Sequence, residues 1–276
     1  MEIERMFATS KFPIQFVLNT ISIFTQITTM LKKLLALSLL IGSAVTAHAQ
    51  QFKALLFTKT AGFHHVSIHE GVTGIRNLAA RHNFSVDWQE NADVFNDKSL
   101  ANYAVVIFLN TTGDILNDAQ QAALEKYIKS GKGWVGIHAA ADTEYDWPWY
   151  GKLAGAYFKT HPAQQTAFLD VKDSNFPGLE RFPKRMLWTD EWYEYKKPLN
   201  VDDLKVLITL DEKTYDPKTS QGTGMGDHPI AWYHNFDGGR AFYTGLGHIG
   251  LVYSDQSFLD HLYGGIYWAA TGKGVK

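Results

Sequence analysis

The run Tyr103-Ala-Val-Val-Ile-Phe-Leu109 limits the fold more than any other stretch of the chain. A continuous apolar run of this length is the pattern of a central parallel strand covered on both faces. It does not stand alone. Phe52–Thr58 reads as a buried first strand, Phe84–Trp88 as a short second, and Gly133–Ile137 as the strand that follows the apolar run. One helical pattern passes through Glu70, Ile75, Leu78 and Ala79, and another through Leu124, Tyr127 and Ile128. Asn117 can cap the second of these, Asp118 sits favourably in its first turn, and Gly131 can close it in the left-handed conformation. Strand then helix, repeated in this way, means a parallel sheet with helices on both faces.

The second half of the chain changes character. Thr166–Val171, Leu204–Leu210, Ile230–His234 and Arg240–Thr244 read as strands, and Asp237-Gly238-Gly239 is a hairpin turn signal between the last two. Ser257–Ala270 reads as a closing helix whose Phe258, Leu262, Ile266 and Tyr267 can face the sheet. No Pro/Ser-rich linker and no repeat divides the chain, so residues 50–276 are expected to form one domain with long loops.

The N-terminus carries a different signal. Met30-Leu-Lys-Lys33 gives a short positive region, Leu34–Val45 an apolar core too short to span a bilayer, and Ala47-His48-Ala49 a small-x-small cleavage pattern. Residues 30–49 therefore read as a signal peptide, with Met30 as start, Gln50 as the first residue of the mature chain, and residues 1–29 as an upstream over-extension. The whole chain carries a formal charge of −2; removing residues 1–49 takes away four basic and two acidic residues and leaves −4. The expectation is an exported, periplasmic protein with no membrane segment after cleavage. Its acidic balance and lack of a basic run exclude nucleic acid as an expected partner. The absence of cysteine excludes thiol catalysis, thiolate metal sites and disulfides.

In an open parallel sheet, ligands bind beyond the carboxyl ends of the strands. The residues there are Thr58–His65 after the first strand, Asn110–Asp114 (including Thr111) after the apolar run, and His138 with Asp142 and Thr143 after Gly133–Ile137. Further candidates are His161-Pro162, Asp190-Glu191 with Tyr193, His228-Pro229, and Gly245-Leu-Gly-His248. Four His-bearing loops and a carboxylate pair can form a metal site or an acid/base site. None has diagnostic local spacing: HExxH, a Walker loop and a Rossmann glycine fingerprint are all absent. Any one of these histidines can equally serve only to hydrogen-bond a loop backbone, and Trp147-Pro-Trp-Tyr150 can be core packing or a surface for sugar rings. His82, His234 and His261 read as structural.

Taken in order, the segments TKTAGFHHVSIHEG, FLNTTGDIL, GKGWVGIHAAADT, FKTHP, DEWYEY, GMGDHPIAWYH and GRAFYTGLGH resemble the ThuA-like (trehalose-utilisation) family, from about Phe52 to about Gly272. That family lies in the class I glutamine amidotransferase-like superfamily. The resemblance implies an α/β, flavodoxin-like three-layer sandwich with a mostly parallel central sheet. In amidotransferase relatives, the elbow after the strand matching Gly133–Ile137 carries a catalytic cysteine; His138 stands in that region here, so glutamine hydrolysis through a thioester is not available. The family's pattern falls on His65, His138, His161, Asp190, Glu191, Tyr193, His228 and His248. Relatives often continue the LGH segment with Thr and an acidic residue, where this chain has Ile249-Gly250-Leu251.

The resemblance implies a carbohydrate as the small-molecule partner, with proton transfer, isomerisation or cleavage of a disaccharide, glycoside or keto-sugar as the chemistry. His65 or His138 would be the base and Asp190 or Glu191 the acid or orienting partner. Thr111, Asp142, His161, Tyr193, His228 and His248 would contact substrate, and a divalent metal such as zinc is a candidate cofactor. The alternative is a non-catalytic sugar-binding or accessory protein using the same cleft. The sequence leaves a homo-oligomer open. A serine hydrolase is excluded by the absence of a G-x-S-x-G elbow.

Overall fold

β1 (Lys53–Phe57), β2 (Ser85–Gln89), β3 (Val105–Leu109) and β4 (Gly133–Ile137) pair in parallel in the order β2-β1-β3-β4. β3 and β4 are buried along their whole length, as uninterrupted apolar strands require. The computed structural model describes residues 18–19, 22–33, 50–196 and 203–274. Residues 22–33 are helical and exposed. No described helix is long and apolar enough to cross a membrane. Leu34–Val45 and Ala47-His48-Ala49, on which the expectation of a signal peptide rests, lie outside the described residues. Gln50–Lys276 forms a unit of its own.

Among the described residues of this unit the α-helices are α1 (Ile68–His82), a single turn α2 (Asp97–Leu100), α3 (Asp118–Lys129), α4 (Pro148–Ala154) and α5 (Gln256–Thr271). Asn117 caps α3 as expected: its side chain accepts from the Gln120 amide at 3.0 Å, and the Gln120 side chain accepts from the Asn117 amide at 3.0 Å. Gly131 follows at φ +88°. Side-chain alternation along β4 places the layers. Gly133 lies directly against the Ala269 backbone of α5, whereas Trp134 packs edge-on to Tyr150 of α4 on the other face. This is the flavodoxin-like three-layer arrangement.

The sheet continues past β4 through β11 (Gly239–Thr244), β10 (Pro229–Phe236), β9 (Lys205–Asp211), β6 (Gln165–Val171) and β7 (Arg185–Asp190). β11 is parallel to β4, and every later pairing is antiparallel. Directions therefore alternate from β11 outward, and only β10 and β6 run against the rest. β7 points the same way as the parallel strands, so its carboxyl end falls on the same edge of the sheet as theirs. Asp237 (φ 49°) and Gly238 (φ 89°) form the two-residue turn joining β10 to β11, which matches the twist of the hairpin. β5 (Phe158–Thr160) and β8 (Glu194–Tyr195) form a separate small sheet.

The sequence pattern does not reveal β7. Leu187 is exposed while Trp188 and Asp190 are buried, so the inward face ends in a carboxylate and the apolar alternation breaks where the strand matters most. Trp147 and Tyr150 are buried and stack on one another, so these two rings are core packing, whereas Trp149 is half-buried.

Candidate active site

β4 ends at Ile137, and the next residue, His138, adopts φ 48°. A left-handed conformation at a non-glycine residue is held only where the surroundings impose it. Here the Tyr243 hydroxyl donates to the His138 carbonyl at 2.7 Å, and His138 Nδ1 lies 2.8 Å from the Gly245 carbonyl. That carbonyl can only accept, so Nδ1 carries a proton, and in the neutral imidazole Nε2 is the free nitrogen. The Tyr193 ring covers the imidazole, centroids 4.1 Å apart, and is itself covered by Phe158 at 4.2 Å.

His138 Nε2 lies 3.1 Å from His248 Nδ1 and 3.4 Å from Glu191 Oε2, and His248 Nδ1 lies 3.1 Å from the same Oε2. His65, on the loop after β1, packs its ring edge-on to both, 5.0 Å from His138 and 5.2 Å from His248. His65 is buried and its Nδ1 has no hydrogen-bond partner. Burial, followed by the nearby His138 and His248, pulls its pKa down to about 2, so this imidazole is neutral. Burial pushes the Glu191 carboxyl upward, but hydrogen bonds and positive charge from His138 and His248 outweigh it and hold the group well below the usual carboxylate range.

Asp190 and Glu191 are adjacent but play different parts. Asp190 is fully buried and accepts from four backbone amides: Gly247 at 2.9 Å, His248 at 3.1 Å, Ile249 at 3.2 Å and Glu191 at 3.0 Å. Every oxygen is committed, so Asp190 acts as a latch between the end of β7 and the loop after β11 rather than as an acid facing substrate. Its burial pushes the carboxyl up, against the charge of His138 and these amides. Across a flat sheet, four strand spacings of roughly 4.8 Å would separate β7 from β11 by about 19 Å. The loop after β11 and the Asp190 side chain together bridge that distance.

Glu191 turns its second oxygen outward, with Oε1 3.3 Å from His161 Nδ1. His161 Nδ1 also lies 2.8 Å from the Pro162 carbonyl. Two acceptors fix the proton on Nδ1 and leave Nε2 as the basic nitrogen. The His161 side chain is 39% exposed, against 8% for Glu191 and 0% for His138. It is the group of the cluster that solvent reaches best.

Five of the expected site residues, His65, His138, His161, Glu191 and His248, thus come together with Tyr193 beside them. Asp142 lies near enough to feel the charges of His138 and His161; burial pushes its carboxyl up, and it accepts from the Tyr145 hydroxyl at 2.6 Å. Two expected substrate contacts lie elsewhere. Thr111 is fully buried and tied to Thr143, hydroxyl to hydroxyl at 3.0 Å. His228 is buried, with Nε2 2.9 Å from the Tyr193 carbonyl and Nδ1 2.8 Å from Glu212; it props the backbone under Tyr193. Conversely, Phe63 is 65% exposed and packs edge-on to His65 at 4.8 Å. Tyr145 is 37% exposed and stacks on Tyr157. Neither ring stood out in the sequence, although Phe63 lies inside the TKTAGFHHV segment. A groove of about 550 Å3 opens beside the cluster rather than over it, between α1 and residues 249–254, with Val66, Glu70, Asn77 and Leu251 among its walls.

Fold and site together define a flavodoxin-like α/β protein with a histidine- and carboxylate-lined centre at the carboxyl edge of its sheet. The chain belongs to the ThuA (trehalose utilisation) family, whose model matches residues 53–269. A crystal structure of a protein described as ThuA-like from Bacteroides uniformis ATCC 8492 is similar at 28% identity and a TM-score of 0.69, over 81% of this chain and 93% of that one. Another, from Parabacteroides merdae ATCC 43184, is 21% identical with a TM-score of 0.65, over 82% of this chain and 92% of that one. The fold also matches 32% of a β-galactosidase from Bacillus circulans sp. alkalophilus, at 12% identity, 82% coverage of this chain and a TM-score of 0.54. No curated protein matches the chain.

Proposed function

We propose that this protein is an exported, carbohydrate-processing enzyme that transfers protons on a disaccharide, glycoside or keto-sugar. The ThuA family carries the carbohydrate part of this reading. The observation that carries the catalytic part is Glu191, a buried and ionised carboxylate shared by the imidazoles of His138, His161 and His248. A binding cleft needs hydrogen-bond donors and a ring to stack on, but it does not need an imidazole oriented by a buried carboxylate, which is the arrangement of a general base with its orienting partner.

In this reading His161 Nε2 removes the proton from the carbon beside the carbonyl of an oxidised sugar, and Glu191 stabilises the imidazolium that forms. Returning that proton to the neighbouring carbon or oxygen isomerises the sugar; giving it to the departing glycosidic oxygen cleaves the glycoside by elimination. Phe63 and Tyr145 offer exposed faces against which the apolar C–H side of a sugar ring can pack. The helix-forming, positively charged start at Met30–Lys33 followed by Leu34–Val45 supports export.

The test is turnover of disaccharides, glycosides and their keto derivatives by the mature chain, with His161→Ala and Glu191→Gln alongside. Loss of about 10²–10⁴ in kcat in both variants, with the fold intact by circular dichroism, is the expected result. Saccharide binding without turnover in the parent protein would replace the enzyme by a sugar-binding accessory protein.

A further inference from the structure

Three ligand atoms in the cluster form a nearly equilateral triangle: His138 Nε2, His248 Nδ1 and Glu191 Oε2 stand 3.1, 3.4 and 3.1 Å apart. Around a tetrahedral ion with bonds of about 2.0–2.1 Å, neighbouring ligand atoms stand about 3.3 Å apart. The triangle therefore fits one face of such a coordination sphere without rearrangement.

Proton bookkeeping points the same way. In the neutral imidazole the His138 Nδ1 proton goes to the Gly245 carbonyl, and Nε2 presents a lone pair. Glu191 Oε2 is an anion 3.4 Å away. The two acceptors then need positive charge between them, supplied either by a proton on one of the imidazoles or by a metal ion. A cation at the centre of the triangle satisfies all three atoms at once. A ring nitrogen of His65 lies within 4.8 Å of these three ligand atoms, beside the fourth position, and His65 keeps a buried Nδ1 with no partner.

The supporting contacts are those of a rigid metal site. The Nδ1–H of His138 is oriented by a backbone carbonyl, the usual device that fixes the tautomer of a metal-bound histidine. The second oxygen of Glu191 is held by His161. Asp190 grips the amides of Gly247, His248 and Ile249, so the loop presenting His248 has little freedom.

We infer that His138 Nε2, His248 Nδ1 and Glu191 Oε2 bind one first-row divalent cation of the zinc class, with His65 beside its fourth position. Two imidazoles and one carboxylate suit zinc and its neighbours rather than calcium or magnesium, which favour all-oxygen shells. Three protein ligands with a fourth position left over are the set of a catalytic rather than a purely structural site. This deepens the proposed function, since the ion would lie next to the His161 base, and it rests on that reading only for the ion's use; the site itself stands on the triangle.

The test reads binding without any sugar present. The mature chain is stripped with chelator, dialysed, and titrated with Zn²⁺ by calorimetry and with Co²⁺ by visible absorption. One ion per chain, a Co²⁺ spectrum of low coordination number and a rise in Tm with zinc are expected. His248→Ala and Glu191→Gln should weaken binding at least 10-fold to 100-fold, and His69→Ala, an exposed histidine outside the triangle, should not change it. Two variants are used because either alone can disturb folding, and each is checked by circular dichroism. Absence of stoichiometric binding by the folded parent, or full affinity in both triangle variants, would overturn the site. Turnover unaffected by stripping would leave the acid/base reading standing and overturn only the ion's use in it, whereas stoichiometric zinc binding without turnover of any saccharide would uphold the site and overturn the acid/base reading.

Discussion

The two halves of the sheet contribute to one centre by different means. The half made of β2, β1, β3, β4 and β11 is parallel, with β3 and β4 buried throughout, and it delivers His65, His138 and His248 from loops that necessarily lie along one edge. The half made of β10, β9, β6 and β7 is antiparallel, and it delivers Glu191 because the strand alternation turns β7 the right way and the loop after β11 meets Asp190. In the first half the topology alone places the chemistry. In the second, Asp190 latches the edge strand to the loop after β11, and Trp188 packs against Phe258 of α5. The functional carboxylate is thus the less securely built part of the site.

The largest expected effect comes from cutting that latch. Asp190→Ala leaves the Gly247, His248 and Ile249 amides buried without an acceptor and should cost about 3–5 kcal/mol, read as a fall in the urea midpoint. Asp190→Asn keeps one oxygen acceptor and should cost less. If Asp190→Ala left stability unchanged, the amides would have other partners and the halves would not be joined as described.

A smaller effect belongs to the core between β11 and α5. His261 is fully buried against Phe182, Phe242 and Phe258 with neither ring nitrogen hydrogen-bonded, and burial pulls its pKa down to about 3. The unfolded chain, with a histidine near 6.5, takes up the proton first as pH falls. Stability is therefore intact above about pH 6.5 and is lost progressively toward pH 3, by about 2 kcal/mol at pH 5 for this residue alone. His261→Leu should flatten the slope between pH 7 and pH 5 in urea titrations. His234, drawn down to about 4 by its own burial, leaves part of that slope in place. A slope unchanged in the variant would assign the acid sensitivity elsewhere.

How much of this was legible in the sequence follows the same division. The apolar runs of β3 and β4, the Asn117 cap and the Asp237-Gly238 turn are local signals, and each appears where the pattern puts it. His138 could be placed at a strand end facing the cleft for the same reason. β7 could not be seen, because Leu187 points outward and the inward end of the strand is a carboxylate. The distinct parts of Asp190 and Glu191, one spent on backbone amides and the other shared among imidazoles, depend on long-range contacts between the two halves that no local spacing encodes. Thr111 and His228 had the right residue types in the right loops, but their side chains turn into the protein.

The central claim is that Glu191 from the antiparallel half and His248 from the parallel half work as one unit. The most direct measurement is a double-mutant cycle on kcat, with Glu191→Gln, His248→Gln and the pair, using the saccharide that the parent protein turns over. If the two act as a unit, each single change should lose about 10²-fold or more, and the double variant should lose little beyond the worse of them. Losses that multiply would mean that the two residues act independently, and would contradict a centre shared between the halves.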